Sequence, residues 1–66
     1  MTTSERIRQL RLELKLTQKA FGERIGRKGS YISGIERGLY PAQSGMLKRI
    51  SDEFGVPVSW LKGDEE

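Results

Sequence analysis

The chain has 66 residues, no cysteine, no histidine and a formal net charge of +3. A length of this order makes one domain, residues 1–66, which buries only about 60% of the surface its unfolded chain would expose; with no thiol for a disulfide and only carboxylates to hold zinc, no structural metal and no cofactor are expected. No apolar run approaches the ~20 residues of a membrane span, and the charged start Met1 to Arg6 has no apolar leader segment, so the expectation is a cytoplasmic domain with no membrane partner, resting on a compact apolar core.

Thr3 or Ser4 is expected to cap a first helix, whose inner face carries Ile7, Leu10 and Leu14 at i, i+3, i+7. Lys15-Leu16 is a short connection. Thr17 offers its hydroxyl to the first N–H groups of a second helix, which buries Ala20, Phe21 and Ile25 and stops at Gly26. A third helix runs from about Lys28 to Arg37 with Ile32 and Ile35 inward, and Gly38 ends it. Leu39 to Gln43 form a loop fixed by Pro41. A fourth helix begins near Ser44, aligns Met46, Leu47, Ile50 and Phe54, and breaks at Gly55. Pro57 fits the first turn of a last short helix carrying Val58, Trp60 and Leu61, Gly63 closes it, and Asp64-Glu65-Glu66 reads as a frayed end. Five short helices joined by tight turns predict an all-α globule of crossing helices.

Charge is unevenly spread. From Arg6 to Arg37 nine bases face three acids, a net +6, whereas Gly38 to Glu66 carries −2. A basic front half suits a polyanionic partner. Within it, Gly22 falls where the second helix must approach the third, Gly26 supplies the positive φ of a tight turn, and Phe21, Ile25, Ile32 and Ile35 form an apolar wedge that sets the two helices at roughly 90–120°.

Leu16-Thr17-Gln18-Lys19-Ala20-Phe21-Gly22-Glu23-Arg24-Ile25-Gly26 resembles the first half of the helix-turn-helix in the Cro and lambda-repressor-like (XRE) family. Tyr31-Ile32-Ser33-Gly34-Ile35-Glu36-Arg37-Gly38 resembles its second half. The likeness extends to the approach from Arg11 to Gln18, to Ile50 through Val56 and to Trp60-Leu61, and so covers nearly the whole chain, with the motif at about 17–37. It implies a compact five-helix fold, sequence-specific binding of double-stranded DNA by a transcriptional regulator, and usually a homodimer; a repressor is the expected role, with an activator and a restriction-modification controller as the other roles open to such a regulator.

At 100° per residue Ile32, Ile35 and Leu39 centre the buried stripe of the third helix, and Ser30, Ser33, Gly34 and Arg37 lie opposite. Arg27, Lys28 and Gly29 stand at the end that enters the major groove in this docking mode. Arg27, Lys28, Gly29, Ser30, Ser33 and Gly34 are therefore the candidate base-contacting residues; basic side chains pair with guanine O6 and N7, and serines with several edges. The sequence departs from the family where Lys28 replaces a Ser or Thr cap and where Gly29 and Gly34 replace long polar readers. Such glycines imply close approach of backbone to DNA or little direct readout. Thr17 and Gln18, at a helix N-terminus, are candidate phosphate contacts; the family assigns that role to the residue matching Gln18. Lys19, Arg37, Tyr40, Gln43 and Ser44 are the flanking candidates.

Arg11 and Glu36 flank the inner stripes of their helices, and the resemblance implies that they pair, tying the third helix to the scaffold. It likewise implies a homodimer contact through Pro41, Val58, Ser59 and Leu61, with Trp60 assigned to the core. Two heads on a two-fold symmetric, palindromic operator would double the discrimination of one. An enzyme is the weakest reading, since there is no histidine or cysteine and no G-x-x-x-x-G-K loop. The alternative is a protein-interaction module on the same fold, such as an antitoxin or adaptor.

Overall fold

The computed structural model describes residues 2–63, so the tail expected to fray lies outside the described residues. The backbone forms α1 (Thr3–Glu13), α2 (Gln18–Arg24), α3 (Gly29–Glu36), α4 (Ser44–Phe54) and α5 (Val58–Leu61), with no strand among the described residues. This is the expected all-α, five-helix architecture, drawn in to a Cα radius of gyration of 10.4 Å.

α1 starts one residue before the expected caps. Thr2 is the N-cap, its hydroxyl accepting from the Glu5 N–H at 3.2 Å while Glu5 Oε1 accepts from the Thr2 N–H at 2.8 Å. Thr2 takes this place because it stands three residues before a glutamate, the spacing of a capping box; Thr3 and Ser4 do not. Three helix ends share one device. After α1, α2 and α3 the residues Lys15, Gly26 and Gly38 adopt φ of 59°, 75° and 76°. In each case two backbone N–H groups fold back onto the last turn: Leu16 to Arg11 and Lys15 to Leu12, Arg27 to Gly22 and Gly26 to Glu23, Leu39 to Gly34 and Gly38 to Ile35. This is the Schellman pattern, which satisfies the orphan carbonyls of a helix end. Glycine adopts such a φ freely, whereas Lys15 adopts it against its own Cβ.

The core draws on every helix: Ile7 and Leu10, Phe21 and Ile25, Ile32 and Ile35, Met46, Leu47 and Ile50, and Leu61. Phe21 is its fully buried centre and stacks on the partly buried Phe54, ring centroids 4.7 Å apart. Three expectations fail at helix ends. Leu14 is 41% exposed because it caps α1, and the chain turns away at Lys15 before it reaches the core. Leu39 is 60% exposed because Gly38 has already broken the helical register. Leu61, expected at a dimer surface, is fully buried, while Trp60, assigned to the core, is only partly buried at its edge with the Arg6 guanidinium 4.8 Å from its ring. Pro57 is the N-cap of α5, just before the first turn expected for it, and Leu61 is the buried residue of this four-residue helix.

Two substitutions test this packing by denaturant titration. Leu61→Ala should lose about 2–5 kcal/mol, the cost of truncating a fully buried leucine; a wild-type midpoint would place the side chain at the surface. Lys15→Gly should gain about 1 kcal/mol by removing the left-handed penalty, and a loss would contradict the strained φ.

Candidate nucleic-acid interface

The turn between α2 and α3 is held by close backbone approach. A Cβ on Gly22 would lie 2.6 Å from the Arg27 carbonyl oxygen, so only glycine lets the turn fold against α2. The Arg27 N–H donates to the Gly22 carbonyl at 2.8 Å from the same place. Gly29 meets α2 as well: a Cβ there would stand 3.0 Å from Lys19 N and Cα. Its missing side chain therefore serves the α2–α3 approach, and the reading of Gly29 as an outward-facing position is corrected. α2 itself begins at Thr17, whose hydroxyl accepts from the Ala20 N–H at 3.0 Å.

The far end of α3 is tied to α1. Arg11 Nε donates to Glu36 Oε2 at 2.6 Å and Nη2 donates to Glu36 Oε1 at 3.0 Å, a two-pronged pair whose side chains are 12% and 4% exposed. Arg11 Nη1 donates to the Leu16 carbonyl at 3.0 Å, and Gln18 Nε2 donates to Glu36 Oε1 at 3.3 Å. One carboxylate thus gathers α1, α2 and α3. Hydrogen bonding to Glu36 holds the Arg11 pKa above its ordinary value, burial working the other way. Gln18, the candidate phosphate contact, is turned inward by the same network.

What remains on the outside of α3 is basic and small. Arg27, Lys28, Ser30 and Arg37 are exposed and Ser33 is half-buried. Lys28 stands at the N-cap in extended conformation with no side-chain capping bond, so the first turn keeps its N–H groups uncapped by any side chain. Glu36, the sole acid of α3, is the buried partner of Arg11. Lys19, Arg27, Lys28 and Gly29 line one shallow groove with Glu23. Arg27 also lines a second groove, with Tyr31, Pro41, Gln43 and Arg49. Ser44 is exposed at the start of α4, beyond the groove that Gln43 lines. At the C-terminal end Arg37 and Gln18 share a groove with Arg8. Sequence reasoning misses Arg8 and Arg49; each is one of several exposed bases, and only the crossing of helices brings them beside α3.

Gly34 is corrected. It lies on the outward side of α3, yet it is buried, because the ring of Tyr40 from the α3–α4 loop lies across it. Tyr40 in turn stacks on Tyr31, centroids 5.9 Å apart and planes at 15°, and the Arg27 guanidinium lies 4.9 Å from the Tyr31 ring.

The helix-turn-helix family profile matches residues 7–61. Over 60 residues the chain is 37% identical to a propionyl-CoA carboxylase regulator of Cereibacter sphaeroides, covering 91% of this chain and 13% of that protein. Over 65 residues it is 35% identical to the immunity repressor protein of Bacillus phage phi105, covering 98% of this chain and 45% of that protein. The chain thus spans less than half the length of either relative. No solved structure gives a significant match.

Glu36→Ala should destabilise by about 3–5 kcal/mol, because it strands a largely buried guanidinium with only the Leu16 carbonyl. A denaturant midpoint close to wild type would show that the pair contributes little.

Proposed function

The chain belongs to the helix-turn-helix family, of the Cro and lambda-repressor-like (XRE) type, and from that membership we propose that it is the operator-binding domain of a transcriptional repressor. The observation that carries this reading is the outer face of α3. Lys19, Arg27, Lys28 and Arg37 are exposed around it, while its single acid is turned inward and neutralised. A helix with this face, short side chains along its middle and cations at both ends, suits insertion into a major groove between two phosphate backbones. That one relative is named an immunity repressor and the other a regulator supports the regulatory role.

In this reading Arg27, Lys28, Ser30 and Ser33 meet base edges, while Gly29 serves the packing of α3 on α2. Lys19, Arg37, Gln43 and Ser44 meet phosphates, joined by Arg8 and Arg49. Thr17 meets phosphate through its place at the start of α2, and Gln18 does so as the family resemblance implies, while still braced by Glu36. The domain acts in the cytoplasm by binding DNA rather than by catalysis; no helix among the described residues is long and apolar enough to cross a membrane.

The proposal includes pairing on a palindromic operator. One head this small makes few base contacts, each worth about 1–3 kcal/mol of discrimination, and a symmetric pair doubles them. Exposed Pro41 and half-buried Val58 and Ser59 form the proposed contact; Leu61, sealed in the core, is withdrawn from it. Half-sites should then be centred about 34–36 Å apart, and footprinting at saturation should show two of them. A single unpaired half-site would count against the dimer.

Affinity should fall about 10³–10⁵-fold between 50 and 200 mM salt if the pair neutralises ~6–10 phosphates. Arg37→Ala should weaken all sequences alike and flatten the logarithmic salt slope by about 0.9 for each phosphate that Arg37 neutralises. An unchanged slope removes Arg37 from the phosphate-binding set.

A further inference from the structure

Tyr40 does not stand free on its loop. Its ring fills the space that a side chain at Gly34 would occupy: a Cβ there would lie 2.7 Å from Tyr40 Cδ2 and 2.8 Å from Cζ, and closer still to Cε2. The ring is also stacked on Tyr31, which carries the Arg27 guanidinium at 4.9 Å. Stacked aromatic pairs and cation–π contacts each hold a ring in place beyond what simple burial does. Tyr40 nonetheless remains 47% exposed, so a large part of the ring faces outward from the middle of α3. The side chains that α3 itself presents there, Ser30 and Ser33, are short and polar.

We propose that Tyr40 is the mid-helix reader of the operator, taking the place of the side chain that Gly34 lacks, and that it recognises the 5-methyl group of a thymine. The inference rests on the DNA-binding reading above. The 5-methyl of thymine is the apolar group that base pairs offer in the major groove, and it is read by apolar contact. An outward-facing ring fixed against the recognition helix meets that requirement; the serines beside it do not. The Gly34–Tyr40 pair is thus one device: the glycine makes the seat, and the loop supplies the reading group. Arg27, at the other end of the same stack, is held where a guanidinium reaches an adjacent base or its phosphate.

The test begins with selection of a binding site from random duplex DNA by the wild-type chain. Each thymine of the selected half-site is then replaced by uracil, which lacks only the methyl. Wild type and Tyr40→Phe should lose about fourfold in affinity at one thymine per half-site, the factor expected for one buried methyl. Tyr40→Ala and Gly34→Ala, the second of which evicts the ring from its seat, should be indifferent to uracil at that position. Selection of a defined site with no uracil-sensitive thymine, a result that needs no variant, overturns the proposal and leaves DNA binding intact. So does a Tyr40→Ala protein that retains the wild-type uracil sensitivity. Failure of the wild type to select any sequence overturns the DNA-binding reading and this inference with it.

Discussion

Arg11 grips Glu36 with two of its nitrogens and the Leu16 carbonyl with the third, and this clamp bears on the least self-sufficient element of the fold. α3 has eight residues, two of them glycine, with no side-chain cap, no acid in its first turn and no base in its last. Isolated helices of this length are marginal even with good formers, and each interior glycine costs about 1 kcal/mol relative to alanine. α3 is therefore a helix because its surroundings make it one: Ile32 and Ile35 anchor one face in the core, and the guanidinium holds its last residue. A buried ion pair is weak evidence of net stability, since desolvation offsets much of the attraction. Its plainer effect is on surface charge, for it removes the sole negative group of α3 from the face left to solvent.

Glycine does the complementary work on the other sides. Gly22 admits the Arg27 carbonyl, Gly29 admits the backbone of α2 at Lys19, and Gly34 admits the Tyr40 ring. A methyl group would clash with backbone at Gly22, crowd it at Gly29 and displace the ring at Gly34. The result is a short helix enclosed on most of its circumference, with a narrow outer stripe of Ser30, Ser33 and Arg37. Scaffold and surface are thus set by the same contacts, and a change at any of the three glycines moves both.

The inner half of this architecture is legible in the sequence. Nine of the ten buried core residues, from Ile7 to Ile50, stand at positions that helical spacing picks out, and the turn at Gly26 follows from residue type. What periodicity misjudges lies at helix ends. Leu14 and Leu39 continue a stripe on paper, but each follows the last helical turn, where a left-handed residue resets the direction of the chain. In the four-residue α5 two adjacent apolar residues compete for one inward position, and spacing alone gives no preference between Trp60 and Leu61. The two glycines of α3 show a different limit. The helical angle of Gly34 is outward, as spacing predicts, but its burial comes from a loop residue six positions on, which no helical pattern registers. Spacing turns Gly29 toward DNA with its neighbours, whereas the crossing of α2 puts its empty side toward Lys19. The bases beside α3 are legible as composition; their gathering from α1, α2 and α4 requires the fold.

The α3–α4 loop then carries more than a connection. Tyr40 lies on α3, and its immediate neighbour Pro41 lines the groove shared by Arg27 and Gln43 and belongs to the proposed pairing surface. Proline restricts its own φ and disfavours helical geometry in the residue before it, so Pro41 limits the conformations from which Tyr40 can reach its seat. Leu39, on the other side of Tyr40, is fixed by its N–H bond to the Gly34 carbonyl at 2.8 Å. The ring is therefore held from both sides in sequence as well as by the stack. In a symmetric pair on DNA, contact at Pro41 would bear directly on the ring beside it. The separation of the two heads and the reading by each head would then be coupled through one residue-to-residue step, with no change needed in the core.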